Sequence, residues 1–425
     1  MEPLLPGRHR GGEELSAATT ERPFLRVALP FIAGYFVSYV FRMVNAVLGP
    51  TLAVEFGLTA GGLGLLSSVY FLAFALFQMP LGLLLDRFGP RRVNATLLLI
   101  AALGGLGFAA ADSGATAIAA RAVIGLGVSA CLMASFTAYV LWYPSERLPM
   151  MNAITFSAGA LGAMVATVPL ELLLRVWPWR QVFVLLVACT VAVSLTLFWW
   201  VPERRVRGAA AGLAESLRSL AALMRDGAFL RLSVFLGASQ CAAVALQTLW
   251  ISPWLRDVAG YSPAEVARGL LAVNVAMIVG YLGFGRAAEA LARRGVNALP
   301  LLAGGVAVSS LCLGALALGA PTRLAVPLWC LFVATGTAVV LGYSLLSKRY
   351  PKEMAGRVNA GLNVFGFAGM FSGQWLFGLV LDRWPQTPAG YAPEGYPWAL
   401  GMLWLVQFAG LAWLVAGRKR FESAG

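Results

Sequence analysis

The chain has 425 residues, of which 59% are hydrophobic and 12% charged, and its mean hydropathy is +0.77. That balance excludes a soluble globular domain. A net charge of +13 would suit a nucleic-acid binder, but its placement along the chain assigns it to membrane topology instead. A spanning helix needs roughly 20 apolar residues. Twelve such segments are predicted, near 25–48, 60–82, 93–111, 115–141, 149–173, 178–200, 229–254, 263–284, 297–319, 323–346, 356–381 and 397–416. Of the 32 Lys and Arg, two (Arg42, Arg121) fall within spans and six (Arg175, Arg180, Arg256, Arg268, Arg323, Arg383) on one side; the other 24 share the opposite side. Because positive charge is retained inside, both termini are predicted to be cytoplasmic and the protein to sit in the cell inner membrane.

In chain order, residues 1–24 are polar and lack an apolar signal-peptide core, so they read as a cytoplasmic tail. A first six-helix bundle is predicted over 25–201. Its first span carries Tyr35, Tyr39, Arg42 and Asn45 at steps of four, three and three, which puts them on one helical face. Arg42 lies about 24 Å along the axis from Arg26, in the outer half of a ~30 Å core. Span 4 opens with Arg121-x-x-x-Gly125-x-Gly127, glycines that allow close helix approach. Residues 202–228 form a basic linker in which Leu213, Leu217, Leu220 and Met224 mark a helix lying in the interface. A second bundle is predicted over 229–417, followed by a cytoplasmic tail at 418–425. Span 7 carries Gln240 and Gln247 on one face, and span 11 carries Asn359 and Asn363.

Between spans 2 and 3 stands Gly82-Leu-Leu-Leu-Asp86-Arg87-Phe-Gly89-Pro-Arg91-Arg92. This stretch resembles the signature of the major facilitator superfamily, and Arg121-x-x-x-Gly125-x-Gly127 is similar to a second motif of that family. Pro90 departs from the pattern, where the family often has a basic residue. The resemblance extends from about Leu25 to Gly417. It implies an all-α membrane protein of twelve transmembrane helices in two pseudo-symmetric bundles, a secondary transporter working by rocker-switch alternating access. It further implies that Asp86 meets the N-terminal end of span 11 when the cytoplasmic side is closed, stabilising that end, with Gly82 permitting the contact. Arg87 and Arg91 would pair with carboxylates at the inner ends of other helices, Glu146 being one candidate.

The second half repeats the first. Tyr143-Pro-Ser-Glu146, Asn152, Gly159 and Gly162 recur 207 residues on as Tyr350-Pro-Lys-Glu353, Asn359, Gly366 and Gly369. The hinge recurs 203 residues on as Gly285, Glu289 and Arg294, with Arg87 and Gly89 replaced by alanines.

In the superfamily, spans 1, 4, 7 and 10 surround a central cavity, and Arg42 and Arg121 lie on the first two. An arginine within a span faces protein or water, and its planar fork grips carboxylate or phosphate. The candidate substrate site is therefore Arg42 and Arg121 with Tyr35, Tyr39, Asn45, Gln240, Gln247, Asn359 and Asn363. Against this, Arg42 would also suit an interfacial anchor, Arg121 a structural or proton-linked group, and the amides interhelical glue. Glu171 is the one carboxylate well inside a span and the candidate proton carrier; beside Arg175 it also reads as a surface ion pair. The single histidine, His9, is in the tail, and the five cysteines lie in apolar segments. No nucleotide loop, metal cluster or nucleophile–base pair is present, so no enzyme, cofactor or metal is expected. The expectation is a monomeric, proton-coupled importer (a symporter) of a small organic anion; the alternatives are an exporter of amphipathic compounds and a transporter-like sensor without flux.

Overall fold

A computed structural model describes residues 24–144, 147–203, 218, 221–347, 349–350, 354–386 and 390–418. Among them, twelve helices are long and apolar enough to cross a membrane. They are α1 (Phe24–Met43), α2 (Ala60–Phe88), α3 (Pro90–Ala109), α4 (Gly114–Trp142), α5 (Met150–Leu174), α6 (Trp179–Trp200), α7 (Gly227–Asp257), α8 (Pro263–Arg293), α9 (Leu299–Ala317), α10 (Thr322–Leu346), α11 (Ala355–Leu381) and α12 (Gly395–Ala416). An even number of crossings puts Phe24 and Arg418 on one side, called here the terminal face; Thr59 and Asp382 mark the opposite face.

Local chemistry sets the ends. Thr59 caps α2 by accepting from Gly62 N at 3.1 Å, and Ser262 with Glu265 forms a capping box at the start of α8, where Pro263 occupies the first turn. Gly89 separates α2 from α3 with φ of 80°, a conformation costly for a residue with a Cβ. This explains the glycine of the hinge motif.

Each half buries an aromatic and aliphatic core. Phe108 and Phe183 stack at 4.6 Å in the first half, and Trp250 and Phe377 at 4.8 Å in the second. The repeat is visible in the packing. Gly162 of α5 lies against the Phe36 carbonyl of α1, and Gly369 of α11 against the Gly237 carbonyl of α7. The halves also share a device at the opposite face. Glu55, ending the extension of α1, accepts from Trp179 Nε1 at 2.6 Å and from Arg180 at the start of α6. Asp257, ending α7, accepts from Tyr396 Oη at 2.6 Å at the start of α12.

The hinge contacts were expected for a closed terminal face, and here α2 and α11 meet at the opposite face instead. A Cβ at Gly82 would meet no atom within 4 Å, so the close contact expected there is not made. Asp86 and Arg87 are exposed, and Arg87 lies over the neighbouring Phe88 ring at 5.2 Å. Among the described residues Arg91 donates to the Val201 carbonyl at 3.0 Å. The ion pair is made by Arg92 with Glu203 at 2.7 Å, an exposed pair worth about 0–1 kcal/mol. In the second copy Glu289 pairs with Arg293 at 3.1 Å along its own helix, and Arg294 is exposed at the helix end. Glu146, Glu353, residues 1–23 and 419–425, and Leu213, Leu217 and Leu220 of the linker stripe lie outside the described residues, as does most of 202–228; Met224 of that stripe is exposed.

At the opposite face the two halves are in close contact. Gly64 of α2 lies 2.7 Å, measured from an added Cβ, from the Gln374 carbonyl of α11, and Gly378 abuts the Ala60 carbonyl. Only glycines permit backbones that near. Nearer mid-membrane, Phe74 meets Phe367 at 4.1 Å between centroids. The helix pair is thus in contact from the opposite face to mid-membrane, and at Gly82 that contact has ended.

Candidate functional site

The two intramembrane arginines fall in one region of the first bundle. The Arg42 guanidinium lies 4.5 Å from the Tyr39 ring centroid and 5.9 Å from those of Phe71 and Phe74, half-buried, with its Nε lacking a hydrogen-bond partner. Arg121 is 1% exposed and lies 5.0 Å from the Tyr70 centroid, with Nε and Nη1 unpartnered. Gly125, one turn on, presses against the Tyr70 carbonyl, which fixes α4 on α2 and holds Arg121 over the ring. Tyr70 therefore stands between the two cations and donates from Oη to the Ser38 carbonyl at 3.3 Å. Arg42 neighbours the Tyr39, Tyr70 and Tyr35 hydroxyls.

Neither arginine has a carboxylate partner among the described residues. Guanidinium remains protonated in proteins. A desolvated cation–π contact supplies about 2 kcal/mol, against a burial penalty of several kcal/mol per ion. The region is therefore positively charged and under-compensated, an arrangement that attracts an anion.

The second bundle completes the wall. Tyr281 of α8 lies within electrostatic reach of Tyr39 and Arg42 and of Tyr343 of α10. Tyr343 Oη donates to Asn363 Oδ1 of α11 at 2.8 Å. In the first bundle Tyr35 and Tyr39 meet edge-on at 5.0 Å, and Tyr35 meets Phe156 at 6.2 Å. Tyr35 and Tyr39 pack on Gly159 and Gly162 of α5, which is why those positions have no side chain.

The structure brings together Tyr35, Tyr39, Arg42, Arg121 and, from the other half, Asn363. It does not bring in Asn45 or Gln247. Asn45, beyond the end of α1, donates to Ser67 Oγ at 3.0 Å, and Gln247 donates to Asn274 Oδ1 at 3.0 Å, both buried interhelical bonds. Gln240 is half-buried with its Cγ near Gly366, and Asn359 is half-buried toward the terminal end of α11. Glu171 pairs with Arg175 at 2.8 Å near the opposite face. It lies nine residues past Gly162, about 13 Å along the axis, from the level where Tyr39 packs.

Sequence reading passed over Tyr70, Tyr281 and Tyr343. The repeat held the signal for Tyr343: 207 residues before Tyr343 and Asn363 stand Phe136 and Phe156. Those rings touch at 5.9 Å in the first half, where the second half has a hydrogen bond.

The family model of the Major Facilitator Superfamily matches residues 31–374. The chain belongs to that superfamily. It is a membrane transporter, not an enzyme. Over 371 residues it is 25% identical to a Cupriavidus necator protein named "Probable sulfoacetate transporter SauU", covering 82% of this chain and 85% of that one. Over 373 residues it is 26% identical to an Escherichia coli K12 protein named "Probable galactarate/D-glucarate transporter GarP", covering 78% and 82%. A crystal structure of a bacterial homologue of the human lysosomal transporter Spinster, inward-facing and unoccupied, shares the fold with a TM-score of 0.78 at 18% identity, covering 95% of this chain and 99% of that one.

Proposed function

We propose that this superfamily member carries a small organic anion across the cell inner membrane, with Arg42 as the first contact and Arg121 as the second charge. The observation behind this reading is the pair of membrane-embedded guanidiniums with unused donors and, among the described residues, no carboxylate partner. Sulfoacetate, galactarate and D-glucarate, the compounds in the relatives' names, are doubly charged anions at neutral pH and match two guanidiniums in charge. Tyr35, Tyr39, Tyr281 and Tyr343 would meet the uncharged part of the substrate, and Asn363 would orient Tyr343. The 24 Lys and Arg on the terminal side support a cytoplasmic terminal face, and we read the direction as uptake on the names of the relatives. One chain contains the whole site, so a monomer suffices. Glu171, the candidate proton carrier, is paired with Arg175, which gives that route no geometric support.

A thermal-shift screen of the purified protein tests the reading. Sulfoacetate, galactarate or D-glucarate should raise the melting temperature, since a ligand at 100 times its Kd stabilises by about 2.7 kcal/mol. Lipophilic cations should not. Stabilisation by the cations alone would place the protein with exporters of amphipathic compounds.

A further inference from the structure

We infer that transport through this site is obligatory anion exchange and not proton symport. The inference rests on the anion reading above and extends it to the coupling.

Proton symport needs a group on the protein or on the substrate that gains and loses a proton at ordinary pH, and sulfoacetate and D-glucarate are themselves fully ionised there. The groups around Arg42 are Tyr35 and Tyr39 from α1, Tyr70 from α2, Cys131 and, behind Tyr70, Arg121 from α4, and Tyr281 from α8. They are phenols, a thiol and a second cation. No carboxylate or imidazole is among them. The full sequence has 19 Asp and Glu and one His, and they stand in tails, loops and helix ends. Glu171, the one furthest into a span, is held by Arg175.

Among the described residues the fixed positive charge therefore has no internal counter-ion, and that decides which states can alternate. While one face is open, water reaches Arg42 and solvates it. To change faces, the carrier passes through a closed form from which that water is removed. A bound anion travels with the arginines and keeps them compensated through the closed form. The empty carrier has nothing to offer in its place, because binding a proton only adds positive charge. Reorientation is then slow when empty and fast when loaded, which makes each inward anion depend on an outward one.

The full chain reconstituted in liposomes tests this with radiolabelled sulfoacetate and D-glucarate as probes and pyranine inside. Uptake into vesicles preloaded with the unlabelled probe should exceed uptake into empty vesicles by at least about tenfold, the ratio set by each 1.4 kcal/mol of extra cost for the empty carrier. An imposed pH gradient should not change it, and the lumen should not acidify. Gradient-driven accumulation into empty vesicles with lumen acidification would overturn exchange while leaving the anion reading intact. Failure of every anion to bind or move would remove both. A variant probes the counter-ion argument itself. Cys131→Asp puts a carboxylate within electrostatic reach of Arg42, and uptake into empty vesicles should rise toward the exchange rate and become pH-dependent. A folded Cys131→Asp protein whose empty-vesicle uptake stays as slow as before would contradict the argument.

Discussion

Asp382, at the end of α11, accepts hydrogen bonds from Gly61 N and Thr59 Oγ1 at the start of α2, each at 2.9 Å. The bond joins the two bundles at the opposite face. The first amides of a helix have no partner within it and carry the positive end of its dipole. Here Gly62 N is taken by Thr59 and Gly61 N by a carboxylate from the other half. The sequence suggested such a device for Asp86 and the N-terminal end of α11. The pair α2 and α11 is antiparallel, with an acid at the C-terminal end of each helix, and the acid at the closed face is Asp382.

Separation of the halves at that face must break the bond. Asp382→Ala should therefore weaken closure there by about 1–2 kcal/mol, the lower range for a charged acceptor because Asp382 is exposed. Spin labels on cysteines at Val54 and Leu318, both exposed on that face at 86% and 91%, should report longer and broader distances in the variant. Unchanged distances would mean that the glycine-mediated packing of α2 on α11 holds the face alone.

The pH dependence of stability follows from acids outside the spans. Burial alone would push the Glu55 carboxyl up, but bonds from Arg180 and Trp179 and the charge of Arg180 hold it below its ordinary 4.5. Burial likewise opposes, and bonds from Tyr350 and Ala228 N outweigh it, holding Asp226 below its ordinary 3.8. An acid depressed in the folded state contributes stability that is present above its unfolded value and lost as pH falls through the folded one. The melting temperature should thus be flat from neutral pH down to the ordinary carboxylate values and fall below them. Glu55→Gln should lower the neutral-pH value and reduce the fall, as scanning fluorimetry across that range would show.

Glu171→Gln removes a half-exposed pair worth about 0.2–0.5 kcal/mol. Flux and its response to a pH gradient should stay as in the wild type. Loss of gradient-driven accumulation on this change would restore Glu171 as the proton carrier.

The spans were legible because each has to hide its backbone in some 20 apolar residues, a constraint that composition alone expresses. The hinge glycine was legible for a local reason, the positive φ at Gly89. Facing was harder. Tyr35, Tyr39 and Arg42 share a helical stripe and also share the site, but Asn45 lies past the end of the regular helix and turns to Ser67. Gln247 falls in a π-helical turn, Leu246–Trp250, which shifts its facing from that implied by a spacing of seven from Gln240. Which end of α2 meets α11 depends on the state of the transporter, and one sequence encodes both states. Gly82 therefore has no close neighbour here, while Gly64 has one.

Orientation has its own test. Single cysteines at Ala17 and Ser423, in a background lacking the five native ones, should resist an impermeant thiol reagent in intact cells and react after permeabilisation. Labelling of either from outside would invert the assignment of the terminal face to the cytoplasm.

The central claim is that Arg42 holds the substrate anion, and titration calorimetry of sulfoacetate or D-glucarate against wild type, Arg42→Lys and Arg42→Ala tests it most directly. Lysine lacks the planar fork, so both variants should remain monodisperse and lose affinity. The Arg42→Ala loss should be about 30- to 150-fold, the equivalent of roughly 2–3 kcal/mol for a charge-assisted contact in a partly desolvated site. Wild-type affinity in Arg42→Ala would show that the arginine is an interfacial anchor and would contradict the account.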